Sequence, residues 1–368
     1  MKRRYALVLG LLSALSWVGS AAAGEPVQIA PAPPVVVKTD APVYGDHGPM
    51  CGDCCQPACG GSGLNAGIGF YYIQPSWESN PAIFSYLNNN GFLRARQDDF
   101  SYDYEFAPRV WIGFNSGDAG IRARFWRFDQ SSSLSRIDTD GDGNADQFLN
   151  SASPLGVVIN TDGTQANPEA LNTNSDLQLE VWDVEGTYNH KVCGFDITYF
   201  GGLRYVHLSQ SYTANVVDSN TGTVLAALSS GHNINAWGIT GGVETRRALG
   251  CSGLSLYGSG RTSLLYGTGR QTAASLVADL DNGDNQGGDA SRDDLLPILE
   301  AELGAEFNRD MGGMNVFFQA ALVGQVWFGA GNASRSTSPD VIGVLAGGTE
   351  DDCNLGFFGI TISGGLRY

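Results

Sequence analysis

The sequence predicts an all-β chain folded as an antiparallel transmembrane β-barrel of about ten strands, with short periplasmic turns and long external loops. Three observations carry this expectation. First, the chain opens with an export signal: Lys2, Arg3 and Arg4, an apolar run from Ala6 to Val18, then Ala21, Ala22 and Ala23. No later apolar stretch could span a bilayer as a helix, so membrane residence requires a closed barrel, the other structure that satisfies its own backbone in lipid. Second, the last stretch, Leu355 to Tyr368, separates by parity: Phe358, Ile360, Ile362, Leu366 and Tyr368 on one face, Thr361, Ser363 and Arg367 on the other. Third, the connections between candidate strands alternate strictly between short and long, as in outer-membrane barrels.

In chain order, residues 1–23 read as the signal peptide, with cleavage after Ala23. Residues 24–63 are rich in Pro and Gly and too poor in apolar side chains to pack a core; they read as an extended periplasmic tether. Within it Cys51, Cys54, Cys55 and Cys59 crowd into nine residues. A zinc site usually has two separated pairs, so in an exported chain oxidation to disulfides is the expected state. Cys193, Cys251 and Cys353 raise the total to seven, which leaves an odd thiol. Removing the signal leaves 18 Lys and Arg against 38 Asp and Glu, a balance that excludes nucleic acid as a partner.

Residues 64–368 read as the barrel, with candidate strands at about 64–77, 101–115, 120–130, 176–189, 194–212, 232–248, 253–270, 294–309, 314–330 and 354–368. The long connections are 78–100, 131–175, 213–231, 271–293 and 331–353. An even strand count puts both ends on the periplasmic side, where the tether belongs. Apolar parity faces outer-membrane lipid, and the opposite parity lines the lumen with both signs of charge. The predicted lining is Arg122, Arg124, Glu244, Arg246, Glu300, Glu302, Glu306 and Arg367. Trp111, Trp126 and Trp327 also fall inward, as lumen filling or a ligand-stacking set, while Trp237 falls outward as an interfacial anchor. Between Val181 and Trp182 the apolar parity slips, which reads as a bulge.

The Gly-rich alternating strands, the phrase Gly201-Gly202-Leu203-Arg204-Tyr205 repeated as Gly364-Gly365-Leu366-Arg367-Tyr368, and the aromatic terminus resemble the pore-forming outer-membrane proteins related to the Legionella major outer-membrane protein. The final Tyr, where barrels more often carry Phe, and the Cys cluster depart from that pattern. The resemblance implies a narrow passive pore for small hydrophilic solutes and engagement of the barrel-assembly machinery through the C-terminal strand. Ten strands lie nearer the filled than the open end of barrel sizes, so a structural or adhesive barrel with a filled lumen is the alternative. None of His47, His190, His207 and His232 sits in a recognisable catalytic motif; the chain is not read as an enzyme, and His232 reads as a solvated rim residue.

In the second long loop, Asp138, Asp140, Asp142, Asn144 and Asp146 place oxygens at alternating positions, with Gly143 at the sixth. This matches the first nine positions of a calcium loop, but Leu149 replaces the bidentate Glu at the twelfth, so Ca2+ is expected to bind weakly. The plain alternative is a solvated acidic turn, the reading given to Asp279, Asp281, Asp284 and Asp289. Protease protection of the 131–175 loop should rise at millimolar-scale calcium, and Asp140→Ala should abolish the rise. Equal cutting in calcium and in chelator leaves the acidic turn as the answer.

Overall fold

The protein is described by a computed structural model covering residues 63–89, 92–138, 147–164, 166–250, 252–277, 285–335 and 353–368. The expected signal peptide, the tether up to residue 62 with its four cysteines, and Cys251 lie outside the described residues. The strands in chain order are β1 (Gly63–Trp77), β2 (Pro81–Asn89), β3 (Phe92–Asp99), β4 (Glu105–Ser116), β5 (Ala119–Asp138), β6 (Gln147–Ser151), β7 (Glu169–Val192), β8 (Phe195–Asp218), β9 (Val224–Ala248), β10 (Leu254–Val277), β11 (Gly287–Met311), β12 (Met314–Trp327) and β13 (Leu355–Arg367).

Ten of them, all but β2, β3 and β6, close into an antiparallel barrel. Closure falls on β1, which pairs with β4 on one side and β13 on the other. The C-terminal strand, whose alternation announced the fold, is therefore a full member of the wall, with Asn65 opposite Arg367 and Trp77 opposite Leu355. The remaining three strands form a small sheet in the order β3-β2-β6, built from two connections expected to be loops.

The wall is taller than expected. Strands β7 to β11 run 24 or 25 residues each, more than twice the ~9–11 residues that cross a bilayer. The excess lies away from the short turns, so residues 213–218, 224–231 and 271–277, expected as loop, belong to strands.

Strand polarity explains both this extension and the supposed bulge. The register between β5 and β7, and between β7 and β8, runs unbroken through Val181 and Trp182, so no bulge is present there. What changes is the solvent. Near the short turns the outward residues of β7 are apolar, Trp182 and Val184, and the inward ones are Asp183 and Glu185. Farther out, Leu177, Leu179 and Val181 point inward and are fully buried, while Gln178 and Glu180 face outward. The same inversion occurs on β8, where Leu203 is outward and Arg204 inward before Val206 and Leu208 turn in, and on β9, where Ile239 and Trp237 give way to outward Asn235 and Asn233. The first regime is a membrane barrel, apolar outside; the second is a soluble barrel, apolar inside. The outward aromatics Phe125, Trp182, Tyr205, Trp237 and Tyr266 lie directly opposite one another on five adjacent strands near this change, where amphipathic rings favour the headgroup level.

The hairpin between β7 and β8 closes through Cys193 and Gly194 alone, with Val192 opposite Phe195. Both turn residues have positive φ, 47° and 81°, as a two-residue turn matched to strand twist requires. A cysteine is strained at the first position, where Asn is at home. Cys193→Asn is expected to stabilise the folded barrel by about 0.5–1 kcal/mol, read as a higher urea midpoint in micelles; an unchanged or lower midpoint contradicts the turn assignment.

Candidate functional site

The candidate site is the lumen, whose membrane-level layer is built from charge. Alternation places Asp183 and Glu185 on β7, Arg204 on β8, Glu244 and Arg246 on β9, Arg261 on β10 and Glu300 and Glu306 on β11 at inward positions of low exposure. These residues, with Arg122 of β5 and Arg367 of β13, join into one chain of alternating sign. Glu300 pairs with Arg204, which grips Asp183 at 2.6 Å and 3.1 Å. Asp183 lies 3.5 Å from Arg261, which also pairs with Glu185. Glu185 meets Arg122 at 2.8 Å, and Arg122 meets Glu244 at 2.8 Å. Glu244 continues to Arg246 at 3.3 Å, and Arg246 to Glu306 at 2.9 Å. Arg367 completes the chain on Glu306 at 3.0 Å. Seven strands are thereby laced together across the lumen.

Beside this chain, Arg109 of β4 pairs with Glu302 at 3.0 Å. Its guanidinium lies over the Tyr71 ring at 4.8 Å, and the Tyr71 hydroxyl donates to Glu302 at 3.1 Å. Arg261 stacks on Phe200 at 4.3 Å and Arg367 on Phe317 at 4.1 Å. Aromatic faces thus compensate the guanidinium groups from the sides that no carboxylate reaches. Between this layer and the short turns lies a cavity of about 650 Å³, lined by Arg109, Arg122, Arg124 and Glu302 at its inner end and by Gly117, Asp118 and Tyr368 at its mouth.

Beyond the charged layer the lumen is filled by side chains. Tyr71, Trp126, Trp327 and Phe357 pack edge to face, with ring centroids 5.4 Å apart for Tyr71–Trp126 and 6.3 Å for Trp126–Phe357. Ile83, Leu149, Val157 and Ile159, from the segments between β1 and β7, extend the same buried core. The Tyr212 hydroxyl ties these segments to the wall, accepting from the Ala152 amide and donating to the Ala82 carbonyl, both at 2.9 Å. After β12, residues 328–335 cross the external mouth to the far wall. Gln210 of β8 donates to the Gly331 carbonyl at 3.2 Å, Ser230 of β9 to the Ala333 carbonyl at 2.8 Å, and the His232 ring bonds the Ala330 carbonyl through Nε2 at 3.1 Å.

Comparison with known proteins places this architecture. Residues 56–367 match the family model described as Legionella pneumophila major outer membrane protein precursor. The chain belongs to this family. Its place is accordingly the outer membrane, in contact with membrane lipid. No curated protein matches the chain. Among solved structures, the Escherichia coli outer membrane protease OmpT is similar over 83% of this chain and 96% of its own, at 10% identity and a TM-score of 0.40. A Pseudomonas aeruginosa FadL homologue is similar over 83% and 90%, at 8% identity and a TM-score of 0.22. The P. putida toluene transporter TodX is similar over 83% and 89%, at 7% identity and 0.18. At such scores none of these likenesses bears on function.

In this member of the Legionella outer-membrane family, the eight charges expected to line the lumen all project into it. Seven take part in ion pairs, and Arg124 makes no direct ion pair among the described residues. Sequence reading passed over Arg109, Asp183, Glu185, Arg204 and Arg261. Arg204 stands in the same Gly-Gly-Leu-Arg-Tyr phrase as Arg367 and was findable from it; Asp183 and Glu185 were hidden by the supposed bulge. Trp111 lines the cavity, whereas Trp126 and Trp327 belong to the buried core and make no ligand-stacking set with it. His232 is buried rather than solvated, because residues 328–335 cover it. Of the expected calcium ligands, Asp138 ends β5 as a buried acceptor of the Thr161 hydroxyl at 2.6 Å; Asp140, Asp142, Asn144 and Asp146 lie outside the described residues. Asp289 is paired with Arg270 at 2.8 Å, and Asp279, Asp281 and Asp284 also lie outside.

Glu306 is the most consequential link, being fully buried between Arg246 and Arg367. Glu306→Gln leaves two guanidinium groups facing each other and is expected to cost about 3–5 kcal/mol in urea unfolding from micelles. Glu180→Gln, at the exposed 3.5 Å pair with Arg127, should cost no more than about 1 kcal/mol. Equal effects would mean that the lumen charges are hydrated and unlinked.

Proposed function

We propose that this outer-membrane barrel is a closed scaffold that raises its loops above the membrane for structural or adhesive contacts, and that it is not an enzyme. What supports the reading above all is the crossing of the external mouth by residues 328–335, held to the opposite wall by Gln210, Ser230 and His232. Two further layers lie beneath it, the aromatic core and the ion-pair chain. A solute would have to displace all three. The tall, polar-faced wall beyond the aromatic row fits a role in presentation, since a passive channel gains nothing from wall outside the membrane.

A narrow pore for small hydrophilic solutes is the second reading, favoured by the cavity of about 650 Å³ that reaches from the short-turn mouth to the charged layer. Engagement of the assembly machinery through β13 belongs to either reading. Recordings from the full chain in planar bilayers separate the two. The closed scaffold predicts a flat baseline at moderate voltage, unchanged by Glu302→Leu although that variant unfolds at lower urea. Reproducible single-channel steps in the unmodified protein overturn the closed scaffold in favour of the pore.

A further inference from the structure

Arg124 is the odd cation of the lumen. Among the described residues the membrane-level layer holds seven guanidinium groups, Arg109, Arg122, Arg124, Arg204, Arg246, Arg261 and Arg367, against six carboxylates, Asp183, Glu185, Glu244, Glu300, Glu302 and Glu306. Every carboxylate is held by at least one of the other six arginines. Among the described residues no carboxylate pairs directly with Arg124; Glu185, Asp183 and Glu300 act on its charge from farther away. The strand register explains why. Asp183 on β7 lies directly between Arg124 on β5 and Arg204 on β8, and it turns both oxygens to Arg204. Arg204, fully buried, needs that partner more than Arg124, which lines the cavity.

We propose that Arg124 anchors a binding site for a small oxyanion, phosphate-like or carboxylate, that enters the cavity from the periplasmic end. A guanidinium presents a fork of donors matched to two oxygens of such a group. Confined between protein walls, a guanidinium without a direct carboxylate partner, in a layer holding one more cation than anion, attracts a counter-ion more strongly than at an open surface. The acids whose charge acts on Arg124 do not fill the role, because each is already committed to another arginine. Glu185 receives Arg122 and Arg261, Asp183 receives Arg204 on both oxygens, and Glu300 receives Arg204 as well. Trp111, directly opposite Arg124 on β4, forms an apolar wall on one side. At about 650 Å³ the cavity has room for a phosphate and several waters, given about 30 Å³ for each water.

The test is calorimetric titration of sodium phosphate, and separately of sodium acetate, into the full-length mature chain refolded in zwitterionic micelles at low, matched ionic strength. Saturable binding of one anion per barrel is expected for at least one of the two, and the pair of titrations tells tetrahedral from planar preference. Arg124→Gln should weaken binding by about tenfold or more, whereas Arg127→Gln on the outer face should leave it unchanged. Arg124→Gln should also keep the urea midpoint close to the unmodified value, because Glu185 and Asp183 keep their direct partners Arg122, Arg204 and Arg261. Arg124→Lys retains charge without the fork and should bind with intermediate affinity. Absence of saturable binding for both anions, or equal affinity in the unmodified chain and in both Arg124 variants, overturns the site.

Discussion

Closure of the backbone ladder is the constraint on which everything else in this protein depends. A strand in lipid has no water to satisfy its amides and carbonyls, so the sheet must end where it begins. Here that seam is β1, bonded to β13 and β4. Once the ring is closed at ten strands, the interior is too narrow for a broad aqueous channel, and what fills it must be decided residue by residue. At one crowded point the filling demands glycine: Trp111 lies over β1 at Gly67, where an added Cβ would sit 2.2 Å from its ring.

The filling follows a gradient in solvent. Within the membrane the outer face is greasy, so the inner face is left to polar side chains, and in a narrow space these are nearly dry. Buried charges are tolerable only when paired and hydrogen-bonded. The result is a chain of ten alternating charges running from Glu300 to Arg367, closed off laterally by aromatic faces. Above the membrane the relation reverses. Water outside allows Gln178, Asn233 and Asn235 on the outer wall, and the inner wall becomes a conventional apolar core sealed by inserted segments. One strand therefore serves two solvents without changing register, simply by exchanging which parity is apolar.

This exchange accounts for the main error of sequence reading. A slip of apolar parity in a strand has two physical causes, an inserted residue or a change of surroundings, and period-2 patterning alone does not distinguish them. At Val181 and Trp182 the first was expected and the second is present. The same ambiguity shortened every long strand, because polar outward residues above the membrane read as loop. It also hid Asp183 and Glu185, the two acids through which β7 joins the charge chain.

The amino-acid sequence by itself determined the class of structure, the existence of the ten wall strands, the side of the short turns and eight of the inward charges between Arg122 and Arg367, because these follow from alternation along single strands and from the ban on unpaired backbone in lipid. Tertiary structure alone decided which charge meets which. Arg124 and Arg204 are equivalent claimants on Asp183 by register, and only the three-dimensional arrangement, with Glu300 approaching Arg204 from across the lumen, awards the acid to one and leaves the other facing the cavity. It likewise decided that residues 328–335 cross the mouth and bury His232. Contacts between strands that are distant around the ring depend on barrel radius and stagger, and neither is written in the local pattern of any one segment.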